Sequence, residues 1–247
     1  MKILHRFLAL FLAAALWSSS SQAETALVFG ATGQLGARVV KLLIEDGHDV
    51  VAFVRASSDR SPLDGLIVKY AVGNMIDQQS VKSAFERQTI DVVINTARAP
   101  TDLEGFYKLS STFIAEAAEA AGVKQIIHHG AVGAGSNMAL HPDVPWDRVP
   151  ALVPRMIDHG VAEEIFFSIR VPTTIIRNSR VWPDDTPATG NAKLTEDRRV
   201  LTPITRIDLA RFTMDCLLNE TCYGKVYHNR DDSLTWPPPS FLEGAEE

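Results

Sequence analysis

Short runs of β-branched and other apolar residues alternate along this chain with longer stretches in which apolar positions recur every three or four residues. The short runs predict strands at Ala26–Phe29, Val50–Val54, Leu66–Val72, Asp91–Asn95, Gln125–His129 and Thr173–Arg177, with another near Lys225–His228. The longer stretches predict helices near Gln34–Glu45, Gln78–Arg87, Asp102–Ala121, Pro154–Ser168 and Ile207–Leu218. Gly47 and Gly122 stand just past two of those helices, where a residue free to adopt positive φ ends the last turn. Strands alternating with helices, and no internal repeat, predict an α/β fold: one doubly wound parallel sheet with helices on both faces. Two long irregular segments, Gly130–Pro150 and Asn178–Arg198, follow strand ends and are expected to wall a substrate pocket.

The first predicted strand runs straight into Gly30-Ala31-Thr32-Gly33-Gln34-Leu35-Gly36, which opens the first helix. Glycines at these spacings permit a tight turn, close approach of backbone N–H groups to a pyrophosphate, and tight helix–strand packing. The helix N-terminus adds favourable partial positive charge. Because strand, turn, helix and second strand are all present, the loop predicts a dinucleotide site on a Rossmann sheet. The second strand ends in Arg55, followed by Ser57, Ser58 and Arg60, where an NAD-preferring site places a carboxylate about 20 residues on. A guanidinium and hydroxyls suit a 2′-phosphate, so NADP(H) is the expected cofactor.

With these motifs in hand, the chain resembles the atypical short-chain dehydrogenases of the NmrA-like, NAD(P)-binding group, and among them flavin reductases of the biliverdin reductase B type. The resemblance spans about Thr25 to Asn229. It rests on GATGQLG, the VR strand end, GNMID, DVVINTAR, AAGVKQII and RIDLARF. It implies that Asn74 and Met75 lie in a turn contacting adenine and that Thr96-Ala97-Arg98 pass beneath the cofactor, with Arg98 within reach of a phosphate. It also implies a role in the substrate pocket for His159, at the place of the pocket histidine. His129, at the end of the fifth strand, is the second catalytic candidate, and hydrogen bonding to backbone is the alternative for both.

Departures from the family pattern matter as much. No tyrosine among Tyr70, Tyr107, Tyr223 and Tyr227 has a lysine four residues on, so the usual Tyr-x-x-x-Lys acid–base pair is missing. His128-His129-Gly130-Ala131 carries no hydroxyl where relatives have Ser or Thr, and Arg177-Asn178-Ser179-Arg180 replaces an Arg-Pro strand end. The expected function is therefore NADP(H)-dependent reduction of a small planar acceptor such as a flavin, quinone or tetrapyrrole. The alternatives are a non-enzymatic NADP-responsive regulator and an exported binding module on the same fold. Trp146, Trp182 and Arg180 in the loops are candidates for contacting the acceptor.

Composition narrows the partners. The net charge of −6 argues against nucleic acid, which needs clustered Lys and Arg. The N-terminus changes the picture in another way. Lys2, His5 and Arg6 precede the apolar run Phe7–Trp17, and Ser21-Gln22-Ala23 resembles a signal-peptidase site. The expected organisation is a signal peptide over 1–23, a nucleotide-binding domain over 24–230 and a tail over 231–247. Export follows if the signal is cleaved, leaving no stable membrane span. A cytoplasmic form needs a later start, and the next methionine is Met75. Cys216 and Cys222 either pair in an oxidising compartment or remain a buried thiol and its neighbour. No His or Cys spacing predicts a metal, and the oligomeric state is open.

Overall fold

The structure, a computed structural model, describes residues 23–100, 103–149, 151–182 and 186–235. The signal-like segment before Ala23 and the tail from residue 236 lie outside the described residues.

Among the described residues eight strands form one sheet: β1 (Thr25–Phe29), β2 (Asp49–Val54), β3 (Lys69–Val72), β4 (Val92–Asn95), β5 (Gln125–Ala131), β6 (Thr173–Asn178), β7 (Lys193–Thr195) and β8 (Val226–Arg230). Their order is β3-β2-β1-β4-β5-β6-β8-β7, and every pairing is parallel except β7 with β8. Five α-helices among the described residues connect them: α1 (Gln34–Glu45), α2 (Gln78–Glu86), α3 (Phe106–Ala121), α4 (Leu152–Ser168) and α5 (Arg206–Asp215). The chain winds outward from β1 to β3, then returns to β4 beside β1, so the direction of winding reverses between β1 and β4. Ligands of open α/β sheets lie at such a reversal, over the carboxyl ends of the strands.

Strand alternation sorts the core into two layers. Leu27 and Phe29 pack with residues of α2, α3 and α4 on one face, while Ala26 and Val28 pack with α1 and α5 on the other. Burial on both faces explains why these strands read as continuous apolar runs.

Three details differ from the sequence expectation. β3 is shorter, because Leu66–Val68 leads into the strand without pairing. β7 lies inside the segment expected to be irregular; three residues carry too little pattern to announce a strand, and it forms by pairing antiparallel with β8. The sheet is therefore mostly, not wholly, parallel. Helix α3 begins at Phe106, after Gly105 in the left-handed region at φ 71°, while the expected start at Asp102 lies outside the described residues. The Asp158 carboxylate of α4 caps that start, accepting from the backbone N–H groups of Tyr107 (2.8 Å) and Lys108 (3.0 Å). A cap donated by another helix has no local sequence signal.

Candidate functional site

The glycine-rich loop leaves β1 at the reversal point. Gly30 sits at φ +77°, and a Cβ there would lie 2.8 Å from the Ala97 backbone. Gly36 is packed more tightly: its Cβ would meet the Gly30 carbonyl oxygen at 2.1 Å and Thr96 Oγ1 at 2.8 Å. Thr96 Oγ1 in turn donates to the Phe29 carbonyl at 3.0 Å, fastening the loop after β4 to the end of β1. Gly33 occupies the N-cap of α1 with no side-chain cap, and the first turn carries no acidic residue. Its backbone donors are left for an anion, which is what a pyrophosphate requires. The residues present thus fit a dinucleotide.

The other expected cofactor residues follow the carboxyl ends of neighbouring strands. Arg55 stands exposed after β2, in a turn closed by Arg55 N–H to Ser58 Oγ (3.1 Å) and Ser58 N–H to the Arg55 carbonyl (3.0 Å). Arg60 stacks over the Tyr70 ring at 4.6 Å. Asn74 is exposed after β3, its Oδ1 accepting from Ile76 N–H, while Met75 is buried in the core. Arg98 is exposed after β4. One edge of the sheet therefore carries Gly30–Gly36, with Thr32, Gln34 and Leu35 in that loop, and Arg55, Asn74, Met75 and Arg98 beside it.

The two histidines are held differently. His129 turns toward α5, where Nδ1 meets Asn178 Oδ1 at 3.0 Å and Nε2 meets Thr213 Oγ1 at 2.9 Å. Burial lowers its pKa to about 4, so the ring is neutral at neutral pH. His129 thus ties β5, β6 and α5 together. His159 lies on the opposite face, in α4, stacked on the Tyr107 ring with centroids 3.6 Å apart. Its Nδ1 has no partner, and burial first, then the Arg155 charge, lowers its pKa to about 3.

Beside this pair opens a cleft of about 250 Å³, lined by residues that include Ala99, Pro100, Gly105, Tyr107, Arg155 and Asp158. It adjoins the loop after β4, next to the nucleotide edge. Neither His129 nor His159 lines it: the Tyr107 ring stacks on His159, and His129 faces α5 on the other side of the sheet. Tyr107 Oη accepts from Ala99 N–H at 3.1 Å.

Further into the same half, Arg177 of β6 and Glu163 of α4 form a buried pair at 3.0 and 2.6 Å. Gly130 makes room for it, since a Cβ there would lie 2.8 Å from Glu163 Oε1. Sequence reading missed the roles of Tyr107, Asp158 and Glu163. No spacing rule links Glu163 to Arg177 or Tyr107 to His159, which meet only when α4 packs. The substrate loops are pinned to each other by Asn137 Nδ2 donating to the Arg198 carbonyl at 2.9 Å. Trp146 packs on Gly133 and donates from Nε1 to the His141 carbonyl at 3.0 Å. Among the described residues no group of three or more His, Cys, Asp or Glu side chains is arranged to hold a metal, and no helix is long and apolar enough to cross a membrane.

Known proteins of this shape bear out the fold. ChuY, an anaerobillin reductase from Escherichia coli O157:H7, superposes with a TM-score of 0.74 at 22% identity, covering 86% of this chain and 100% of its own. A short-chain dehydrogenase/reductase from Veillonella parvula, solved in complex with NADP, gives 0.70 at 16% identity, covering 88% of this chain and 99% of its own. By sequence, the chain is 34% identical over 117 residues to sterol demethylase protein B of Methylococcus capsulatus, covering 44% of this chain and 35% of that protein. It is 22% identical over 213 residues to the photosystem II assembly factor Ycf39 of Cyanophora paradoxa, covering 81% of this chain and 61% of that one. The chain thus spans less than two thirds of the length of these curated relatives. Residues 30–220 match the NAD(P)H-binding family model. With the Gly30–Gly36 cradle at the reversal of an open parallel sheet, as the resemblance to atypical short-chain dehydrogenases implied, the chain belongs to the NAD(P)H-binding family.

Proposed function

We propose that this protein is an NADPH-dependent reductase of a small planar acceptor, of the flavin, quinone or tetrapyrrole class, working outside the cytoplasm. The observation that carries the reading is the glycine cradle with Arg55 at its rim: uncapped backbone donors for a pyrophosphate, and a guanidinium instead of a carboxylate at the end of β2. The gap between the Gly30 loop and Ala97 is too small for any side chain, so the loop backbone meets the phosphates directly. Arg55, with Ser57 and Ser58 in the same turn, binds the 2′-phosphate through charge-assisted bonds that a carboxylate would oppose. Bound NADPH would supply the hydride, and the fold then needs only to hold donor and acceptor face to face with water excluded. The cleft beside Tyr107 is the place for the acceptor. ChuY's anaerobillin reductase activity and the NADP held by the Veillonella protein support the same reading.

The Cys216–Cys222 disulfide supports a working place outside the cytoplasm, since such bridges persist in oxidising compartments. It agrees with the signal-like N-terminus.

The test is a fluorescence titration of the purified protein with NADPH and NADH, with Arg55→Glu alongside. Turnover assays follow with FMN, a naphthoquinone and biliverdin. NADPH is expected to bind more tightly than NADH, and Arg55→Glu to weaken NADPH binding by about tenfold or more through loss of a charge-assisted bond. Binding without turnover of any acceptor would favour a non-enzymatic NADPH-responsive protein. No binding of either nucleotide would end the reductase reading.

A further inference from the structure

We infer that Tyr107 is the proton donor of this site, delivering the proton that completes reduction of the acceptor. The inference rests on the reductase reading above. Each hydride that reduces a flavin, quinone or tetrapyrrole must be matched by a proton, and a group fixed in the cleft wall can supply it faster than bulk water.

Among the side chains lining the cleft, four can exchange or carry charge: Glu104, Tyr107, Arg155 and Asp158. Asp158 is committed, both carboxylate oxygens accepting from the first turn of α3. Glu104 stands exposed in the loop before α3, open to bulk solvent and held by no contact among the described residues that aims it into the cleft. Arg155 offers a guanidinium, whose N–H groups donate hydrogen bonds and carry positive charge. Tyr107 remains.

Its ring is fixed on one side by the His159 stack, its oxygen is fixed by Ala99 N–H, and the hydroxyl hydrogen has no acceptor among the described residues. The proton is therefore free to turn into the cleft. His159 itself is screened from the cleft by this ring and stays neutral at working pH, so its part is to hold the phenol in place.

The groups facing Tyr107 come from three directions: Arg98 from the loop after β4, Glu104 from the loop before α3, and Arg155, Asp158 and His159 from α4. Burial raises the phenol pKa, which keeps the proton on at neutral pH. Ala99 N–H and the charges of Arg155 and Arg98 act against that rise, and they steady the phenolate once the proton has left.

The step balances. Bound NADPH would supply the hydride, becoming NADP⁺ as the acceptor is reduced by two electrons. The Tyr107 O–H bond breaks and its proton goes to the acceptor atom that received the electron pair. The phenolate then regains a proton from water entering the cleft.

Tyr107→Phe removes only the hydroxyl and keeps the ring on His159, and near-ultraviolet circular dichroism checks the packing. NADPH affinity by fluorescence and KM for FMN are expected to stay within about twofold. The kcat for FMN reduction is expected to fall by roughly 10²- to 10⁴-fold, with loss of the alkaline limb of its pH profile. Arg155→Gln, which removes one cation, is expected to move that limb to higher pH. In cofactor-free protein labelled at tyrosine Cζ with carbon-13, the resonance absent from Tyr107→Phe is expected at the neutral phenol position at about pH 7. A kcat and pH profile like wild type in Tyr107→Phe would overturn the proposal, as would a phenolate signal near neutral pH. Wild-type protein that binds NADPH but reduces neither FMN, a naphthoquinone nor biliverdin would instead bring down the reductase reading and this role with it.

Discussion

The two halves of the sheet are built to different rules. In the nucleotide half, from β3 to β4, buried polar side-chain atoms are few and, Gln88 Nε2 apart, paired: Asn95 Oδ1 accepts from Ala97 N–H at 3.1 Å, and Thr96 Oγ1 is spent on the Phe29 carbonyl. In the half from β5 onward, the core holds His128, His129, Glu163, Arg177 and His228. Both ring nitrogens of His128, Nδ1 of His159, Nη1 of Arg177 and Nε2 of His141 and His228 have no hydrogen-bond partner there. Arg177 and His228 are direct neighbours in the β6–β8 register, and the His228 ring stacks with His141 at 6.3 Å. Buried polar atoms left unpaired in a native fold call for an ordered water, a ligand or a functional role. The comparison separates a half that holds a dinucleotide with backbone and small residues from one whose core is built around polar and charged side chains.

Breaking the nucleotide half should have the largest effect. Gly36→Val places a side chain against the Gly30 carbonyl, where even a Cβ would stand at 2.1 Å, so the loop must move. Loss of measurable NADPH binding is expected by fluorescence titration. The other half offers a sharper energetic test. Glu163→Ala leaves the Arg177 guanidinium buried without its partner, and urea unfolding should show a loss of about 3–5 kcal/mol. Binding of NADPH to the folded fraction should change little, since Glu163 lies away from the Gly30 loop.

The contrast should also appear with pH. His129 and His228, at about 4, and His159, at about 3, are all held below their unfolded value of about 6.5, chiefly by burial. A depressed folded pKa means that the unfolded chain takes up protons first. The stability is fully present above about pH 6.5 and is lost as pH falls toward the folded values. Each histidine is expected to contribute a slope of at most about 1.4 kcal/mol per pH unit in that window. Urea midpoints measured from neutral to mildly acidic pH check this, and His129→Gln should flatten the curve by about one proton. The smallest effect is expected at the bridge between the end of α5 and the lead-in to β8. Cys216→Ala with Cys222→Ala opens a loop with a sequence separation of 6, at a cost of about 2 kcal/mol in urea unfolding.

The same division governs what could be read before folding. Strands β1, β2, β4, β5 and β6 and helices α1 and α2 were legible to within a residue or two, because burial on both faces writes long apolar runs and amphipathic helices write a period. The Gly30–Gly36 loop was legible because part of its requirement is local: a Cβ at Gly36 would meet the Gly30 carbonyl oxygen at 2.1 Å. β7 was not, being three residues whose only reason to extend is β8. Nor could spacing decide whether Cys216 and Cys222 pair, since that depends on how α5 ends against β8; the structure places their Cα atoms 5.6 Å apart and bonded.

Periodicity and the glycine loop therefore specify an α/β sheet with a dinucleotide edge, because these signals act between neighbours along the chain. Which polar side chains meet is a long-range matter. Asp158 caps a helix 50 residues away, Glu163 finds Arg177, and Tyr107 rather than His159 faces the cleft, because α4 packs against α3 and the sheet at one particular angle. Each of these contacts joins residues whose own neighbourhoods are unremarkable, so their chemistry comes into being only when the layers close.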